Sequence, residues 1–293
     1  MSATLIEGGP IADGIKEDVR SSVSEMSSPP KLVALLTTDN PGAKYYARSQ
    51  RKSCEEVGID YELHDEERTG GLETGEEIKS YIHDLNADDS VSGIILLMPV
   101  PEGIDAREVQ TEIAPEKDVE GIHPANIGRL FYGDFSLAPC TPHAVVRMLQ
   151  ETGVDLKGKE TVVVGHSEIV GKPTLVMLLR SVMESPTVTC CHIATRDLAE
   201  HTRRAEVLVV AAGKAGLVSG DMIRDDAVVI DVGINRVKVE EDGEEKTRVV
   251  GDVDFEEARN VAGAITPVPG GVGLVTTAML LQNTVECARR GRE

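Results

Sequence analysis

Apolar runs that stop at glycine or proline, alternating with helix-patterned segments, recur along almost the whole chain, and that rhythm leaves few folds open. KLVALLTT (Lys31–Thr38) lies between helical patterns at 11–27 and 42–58, and a second strand begins near Tyr61. Gly75–Leu85 reads as a helix, followed by GIILLMPV (Gly93–Val100), an unbroken apolar run. Such a run suits a parallel strand buried on both faces; a strand with one wet face would alternate. A helical pattern at 105–114 and a polar loop, PEKDVEGIHPANIGRL, lead to TPHAVVRMLQETG, a helix with Thr141 as N-cap, Pro142 at its first position and Gly153 at its end. The alternation then restarts with strand ETVVVG, helix GKPTLVMLLRSVM, strand TVTCCHI, helix RDLAEHTRRA and strands VLVVAAG and AVVIDVG. The expected class is α/β, with a Rossmann-type doubly wound parallel sheet in the second half. At 293 residues the chain suits two domains, 1–143 and 144–275, with a last helix over 276–293 packing back on the first.

Charge narrows the partners. Asp and Glu number 50 against 30 Lys and Arg, a formal charge of -20, so nucleic acid, whose binding needs clustered cations, is not expected. Of the cations 18 are Arg and 12 Lys, and an acidic, Lys-poor surface is one route to solubility at high salt. No apolar run approaches the ~20 residues of a membrane span. MSATLIEGGP lacks a basic segment followed by an apolar one, so a cytoplasmic location is expected. Five cysteines without a CxxC pair suggest neither disulfides nor zinc, and Cys190 and Cys191 in VTCCHI read as small buried residues. No two His or Cys show ligand spacing, so no metal is expected. His64, His83 and His201 read as solvated, and EEDGEEK (240–246) as a hairpin tip or surface loop.

Strand TVVVG runs straight into GHSEIVGKP, so Gly165 and Gly171 lie between a strand and a helix. This is not GxGxxG, but strand, glycine loop and helix N-terminus together suit a pyrophosphate, which free N–H groups and the helix dipole attract. Six segments carry a resemblance: KDVEGIHPANIGRL (117–130), PCTP (139–142), VVVGHSEIVGKP (162–173), VIDVGINR (229–236), GDVDF (251–255) and ITPVPGGVG (265–273). In order and spacing they resemble the methylenetetrahydrofolate dehydrogenase/cyclohydrolase family over nearly the whole chain, with DNPGAKYYARSQRKSCEEVG (39–58) adding its N-terminal catalytic helix.

The resemblance implies oxidation of 5,10-methylenetetrahydrofolate by NADP or NAD and, in many members, hydrolysis of the methenyl product to 10-formyltetrahydrofolate. It implies two α/β domains flanking a cleft, a homodimer, and tetrahydrofolate one-carbon derivatives as ligands. It places Tyr46 and Gln50 at the catalytic positions and Tyr46, Leu97, Glu120, Pro269, Gly270 and Gly271 around the folate. Around the nucleotide it places Gly165, His166, Ser167, Ile169, Val170, Gly171, His192, Ile193, Gly213, Ile234 and Thr276.

The chain departs from the family pattern at the chemistry. Gln50 stands where the family carries its catalytic Lys, four residues after Tyr46 and so on the same helix face. Leu97 replaces the Gln that supports that Lys, and Glu120 replaces an Asp. An amide positions a substrate for hydride transfer but cannot shuttle the proton that hydrolysis needs. The expectation is therefore a dehydrogenase with weak or absent cyclohydrolase activity; a fully bifunctional enzyme and a silent folate- or nucleotide-binding protein are the alternatives. His166 and Ile193 replace the Arg and Ser that hold the 2'-phosphate of NADP, which opens NAD use. His192 reads as a packing residue at the strand end, and His123 follows the acidic loop.

Overall fold

The structure is a computed structural model that describes residues 2–241 and 244–291. The strands are β1 (Thr4–Leu5), β2 (Lys31–Leu36), β3 (Asp60–His64), β4 (Gly93–Leu97), β5 (Glu160–Val164), β6 (Thr187–Cys191), β7 (Val207–Val210), β8 (Val228–Asp231), β9 (Asn235–Glu241), β10 (Glu244–Val250) and β11 (Ala264–Ile265). The helices are α1 (Gly8–Ser24), α2 (Pro41–Val57), α3 (Glu66–Thr69), α4 (Gly75–Ala87), α5 (Ala106–Gln110), α6 (Pro124–Phe131), α7 (Cys140–Glu151), α8 (Gly171–Leu178), α9 (Leu198–Arg203), α10 (Phe255–Ala258) and α11 (Val272–Arg290). The chain divides into two units, Asp13–Cys140 with Thr277–Glu293 and Met1–Ala12 with Thr141–Thr276, and passes between them within α1, α7 and α11.

The first of these units is built on a parallel sheet in the order β3-β2-β4, extended by a single parallel bridge from Ile94 to Asp118. Every residue of β4 and all of β2 after Lys31 is buried, as the unbroken apolar runs required. Val33, Leu35, Ile94 and Leu96 meet Ile78, Ile82 and Leu85 of α4 and Val109 of α5 in one core. Helix α2 starts where Asn40 caps it, accepting from the Ala43 N–H at 3.1 Å, with Pro41 at its first turn. It ends at Gly58, whose φ of 81° only glycine adopts cheaply. That turn sends β3 back along α2.

The second unit holds a six-stranded, all-parallel sheet in the order β1-β11-β8-β7-β5-β6. Strand order reverses at β5, with β6 on one side and β7 and β8 on the other. A doubly wound sheet binds its ligand beyond the carboxyl ends of the strands at such a reversal, which here means the loops after Val164 and Val210. The core is aliphatic: Val162, Val164, Leu208, Val210, Val229 and Ile265 are buried together.

Some elements differ from the sequence reading. Residues 1–12, assigned above to the first domain, group with the second half because β1 pairs with β11. The polar loop at 115–130 contains α6, whose start is fixed by Pro124 and by His123 Nδ1 accepting from the Ala125 N–H at 3.0 Å. Helix α8 stops at Leu178, five residues short of the pattern, and Cys190 is exposed while Cys191 is buried. His64 is 4% exposed, not solvated: Tyr81 Oη lies 3.0 Å from its Nδ1 and Glu62 Oε2 3.1 Å from its Nε2. His83 stays exposed and His201 is half-buried. Strands β9 and β10 form the antiparallel hairpin around the acidic stretch, whose tip at 242–243 lies outside the described residues. Among the described residues no helix is long and apolar enough to cross a membrane, and no group of three or more His, Cys, Asp or Glu is placed to hold a metal ion.

Candidate active site

Helix α2 buries Ala43, Ala47, Gln50, Cys54 and Val57, a stripe at helical spacing in which the glutamine is the one residue with hydrogen-bonding groups at both ends of an amide. Gln50 is 1% exposed. Its Oε1 accepts from Tyr61 Oη of β3 at 3.3 Å, and its Nε2 has no directed hydrogen-bond partner. One turn earlier stands Tyr46, 40% exposed over the whole residue with its hydroxyl deep among protein atoms. Burial first, then the charges of Glu120 and Cys140, push this phenol up to about 12, while the adjacent Gln50 amide pulls weakly the other way.

Glu120 comes to the same place from the loop after the Asp118 bridge. Burial, reinforced by the Asp118 charge, pushes its carboxyl up to about 8; Gln110 Nε2, 3.5 Å from Oε2, opposes this. Asp118 organises the loop: it accepts from the N–H groups of Gly121 at 3.0 Å and His123 at 2.8 Å and from Asn126 Nδ2 at 2.9 Å. A second tie comes from α11, where Asn283 Nδ2 donates to the carbonyls of Val119 at 2.9 Å and Ala138 at 3.0 Å. Tyr46, Gln50 and Glu120 are thus gathered by one unit. Leu97 closes β4 at 2% exposure, and β4 is buried throughout. A cavity of about 480 Å³ lies at the ends of β2 and β3, but none of Tyr46, Gln50 and Glu120 lines it. Its wall carries Asp39, Asp65, Glu66, Glu67 and Glu73 against Lys44, a lining that repels an anion such as a folate.

In the other unit the loop after β5 is shaped by two glycines that need each other. A Cβ on Gly171 would fall on the Gly165 carbonyl, and one on Gly165, where φ is 136°, would fall on the carbonyl of Ala211 after β7. Ser167 Oγ accepts from the N–H groups of Val170 at 3.2 Å and Gly171 at 3.3 Å, bracing the turn from within. This serine therefore takes up two N–H groups that a phosphate would otherwise meet. His166 and His192 lie ring against ring at a tilt of 44°, with centroids 4.7 Å apart, so His192 packs at its strand end against the histidine of the glycine loop. Its Nδ1 accepts from the Ala194 N–H at 3.2 Å, which leaves the ring proton on Nε2. Ile169, Ile193 and Ile234 are exposed, Ile193 at 83%.

Ile234 shares a small cavity of about 140 Å³ with Pro269, Gly270 and Gly271, and the Gly8 N–H donates to the Gly270 carbonyl at 2.8 Å. Gly213 is fixed by Asp252, whose Oδ2 accepts from the N–H groups of Ala212 at 2.6 Å and Gly213 at 2.8 Å and whose Oδ1 accepts from Asn235 Nδ2 at 2.8 Å. Asp231 in turn accepts from the N–H groups of Gly233, Asp252 and Val253 at 2.9 to 3.0 Å. Burial outweighs those three donors and pushes the Asp231 carboxyl up to about 6. Thr276 Oγ1 reaches Thr141 Oγ1 at 3.5 Å. The roles of Tyr61, Asn283, Asp231 and Asp252 escaped the sequence reading; the two aspartates stand in quoted motifs, whereas nothing local marks Tyr61 or Asn283.

Comparison with known proteins places the whole chain. Family models match residues 6–120 and 139–292, described as the catalytic domain and the NAD(P)-binding domain of tetrahydrofolate dehydrogenase/cyclohydrolase. The chain belongs to the tetrahydrofolate dehydrogenase/cyclohydrolase family. A relative named bifunctional protein FolD, from Moorella thermoacetica, is 47% identical over 99% of this chain and 100% of its own length. The crystal structure of the bifunctional FolD enzyme from Campylobacter jejuni superposes with a TM-score of 0.89 at 40% identity, covering 99% of each chain. The Trypanosoma brucei enzyme, solved with NADP and an inhibitor, gives a TM-score of 0.90 at 33% identity over 100% of this chain and 99% of its own. Within the family, this member carries Gln50, Leu97, His166 and Ile193.

Proposed function

We propose that this chain oxidises 5,10-methylenetetrahydrofolate to 5,10-methenyltetrahydrofolate and that it hydrolyses the product slowly or not at all. The carrying observation is Gln50, buried with its amide nitrogen close to the Tyr46 hydroxyl but not directed at it, and with no titratable nitrogen in its place. Lys44 is paired with Asp39, and Lys52 is exposed two positions from Gln50, on another face. The residues around Gly165 and Gly171 fit a dinucleotide: a close-approach loop with no room for a Cβ, at the reversal point of a doubly wound sheet. Held there, the nicotinamide of NAD or NADP would supply the hydride acceptor that converts the methylene bridge to the methenyl cation. Tyr46 and Gln50 orient the folate, and Glu120 accepts hydrogen bonds from its amino-pyrimidine edge. Pro269, Gly270 and Gly271 contribute further folate contacts, and Gly213, Ile234 and Thr276 further contacts to the nucleotide.

With His166 and Ile193 in place of an Arg and a Ser, NAD is used at least comparably with NADP. We read the working enzyme as a cytoplasmic homodimer. A second reading, full bifunctionality, draws on Glu120, a carboxyl pushed up to about 8 and so able to exchange a proton near neutral pH. The test is purified protein with methylenetetrahydrofolate and each nucleotide, followed by the absorbance of reduced nicotinamide and of methenyltetrahydrofolate. Accumulation of the methenyl species supports a dehydrogenase. Its enzyme-dependent decay at the pace of its formation replaces that reading with the bifunctional one.

A further inference from the structure

The Gln50 side chain presents a directional problem that the chain solves with a residue outside the quoted motifs. A primary amide has an accepting end and a donating end, and a buried one left to itself can sit either way round. Tyr61 removes the choice. Gly58 turns the chain at the end of α2, so that β3 runs back along the helix and Tyr61 Oη meets Gln50 Oε1 at 3.3 Å. The Arg51 guanidinium lies 5.7 Å from the centroid of the Tyr61 ring, and a cation on a phenol strengthens its hydroxyl as a donor. Burial keeps that hydroxyl protonated. Gln50 therefore accepts from Tyr61, and its Nε2 is turned away from that contact.

That Nε2 is the second observation. It belongs to a side chain 1% exposed, and it has no directed partner although Tyr46 stands beside it. A buried donor without an acceptor is uncommon, and its desolvation is recovered when a ligand brings an acceptor. Leu97 cannot hold the amide, because its side chain is aliphatic and closed into β4.

We infer that Tyr61 is a positioning residue for the folate reaction: it locks the Gln50 amide so that the NH2 group is a fixed donor to an acceptor atom of the folate bicycle. The inference rests on the folate reading of this site. Gln50 with Tyr61 thus replaces a supported lysine with a supported amide.

The test is Tyr61→Phe, which removes one oxygen and keeps the ring. The expected result is a rise of about tenfold in the KM for methylenetetrahydrofolate with the KM for the nucleotide unchanged, and no further loss when Tyr61→Phe is added to Gln50→Met. A Tyr61→Phe enzyme within twofold of wild type, or an equal loss in the Gln50→Met background, overturns the inference. Gln50→Glu keeps an acceptor for Tyr61 but removes the NH2 group, and it decides the matter if Tyr61→Phe does not fold. A folate KM raised at least as far as in Gln50→Met supports the fixed donor, and an unchanged one overturns it. Independently of turnover, the Gln50 side-chain amide signals in 1H–15N spectra, assigned by their loss in Gln50→Met, are expected to shift on titration with tetrahydrofolate. Wild type showing neither turnover nor that shift overturns the folate reading and this inference together. Turnover without the shift overturns the inference alone.

Discussion

Asn283 Nδ2 donates at 2.9 Å to the carbonyl of Val119, the residue immediately before Glu120. The same nitrogen holds the Ala138 carbonyl at 3.0 Å, and the Cys140 N–H donates back to the Glu120 carbonyl at 3.3 Å. A side chain on the last helix thereby ties the backbone just before Glu120 to the Ala138–Cys140 segment that pairs with the Glu120 carbonyl. Asn283→Leu leaves the Ala138 carbonyl without its donor and the Val119 carbonyl with the Cys140 thiol alone, so the expected cost is about 1 to 3 kcal/mol in urea unfolding, with a raised folate KM. A variant as stable as wild type with an unchanged KM shows that the tie does not matter.

Folate binding is expected to strengthen as the pH rises through the titration of Glu120. Its folded-state value of about 8 lies above the ordinary 4.5, so the carboxyl is mostly neutral at pH 7 and charged at pH 9. Since the charged form is the better acceptor, the folate KM is expected to fall severalfold from pH 7 to pH 9 in wild type and to stay flat and higher in Glu120→Gln. Stability has the opposite sign. The unfolded chain ionises this group near 4.5 and the folded chain near 8, so its charge costs stability progressively across that window. Glu120→Gln is therefore expected to unfold at higher urea than wild type at pH 9, with the difference shrinking toward pH 4.

The methenyl product is expected to accumulate. Restoring a lysine at Gln50 alone is expected to do little, because the amine would lack a partner at Leu97. Gln50→Lys with Leu97→Gln is the informative pair, although Leu97 is buried and the glutamine must find polar neighbours there. The measurement is the decay of methenyltetrahydrofolate above its spontaneous rate, with an expected gain of at least tenfold in the double variant.

At the nucleotide site, His166→Arg with Ile193→Ser is expected to move the ratio of kcat/KM values toward NADP by about tenfold to a hundredfold, one charge-assisted hydrogen bond being worth ~1.5 to 3 kcal/mol. His192 Nδ1 is already taken up by the Ala194 N–H, so only the other ring nitrogen is left for a ligand. A wild-type preference for NADP above a hundredfold contradicts this expectation.

The parallel strands were legible because their apolar runs are unbroken: every residue of β4 and of β7 is buried. The loop between Gly165 and Gly171 was legible because its glycines answer to steric contacts that no side chain tolerates. Helix α6 hid inside a stretch rich in Pro and Gly because its N-cap is a histidine, a poor cue, although Pro124 in its first turn suits a helix start. The burial of His64 was invisible because its partners, Tyr81 and Glu62, reach it only once α4 lies against β3. Tyr61 and Asn283 were missed for the same reason: each acts on a residue that sequence distance does not single out.

Asp231 and Asp252 are 3% and 0% exposed and accept three hydrogen bonds apiece, so they function as internal fasteners. A chain of net charge -20 consequently carries two populations of carboxylate that respond differently to the medium. Mobile cations shorten the reach of the outer ones to about 3 Å at 1 M ionic strength and relieve their mutual repulsion. The inner pair meets backbone N–H groups at contact distance and away from those cations, so brine that quiets the exterior leaves the loops around Gly213 and Gly233 as tightly held as fresh water does.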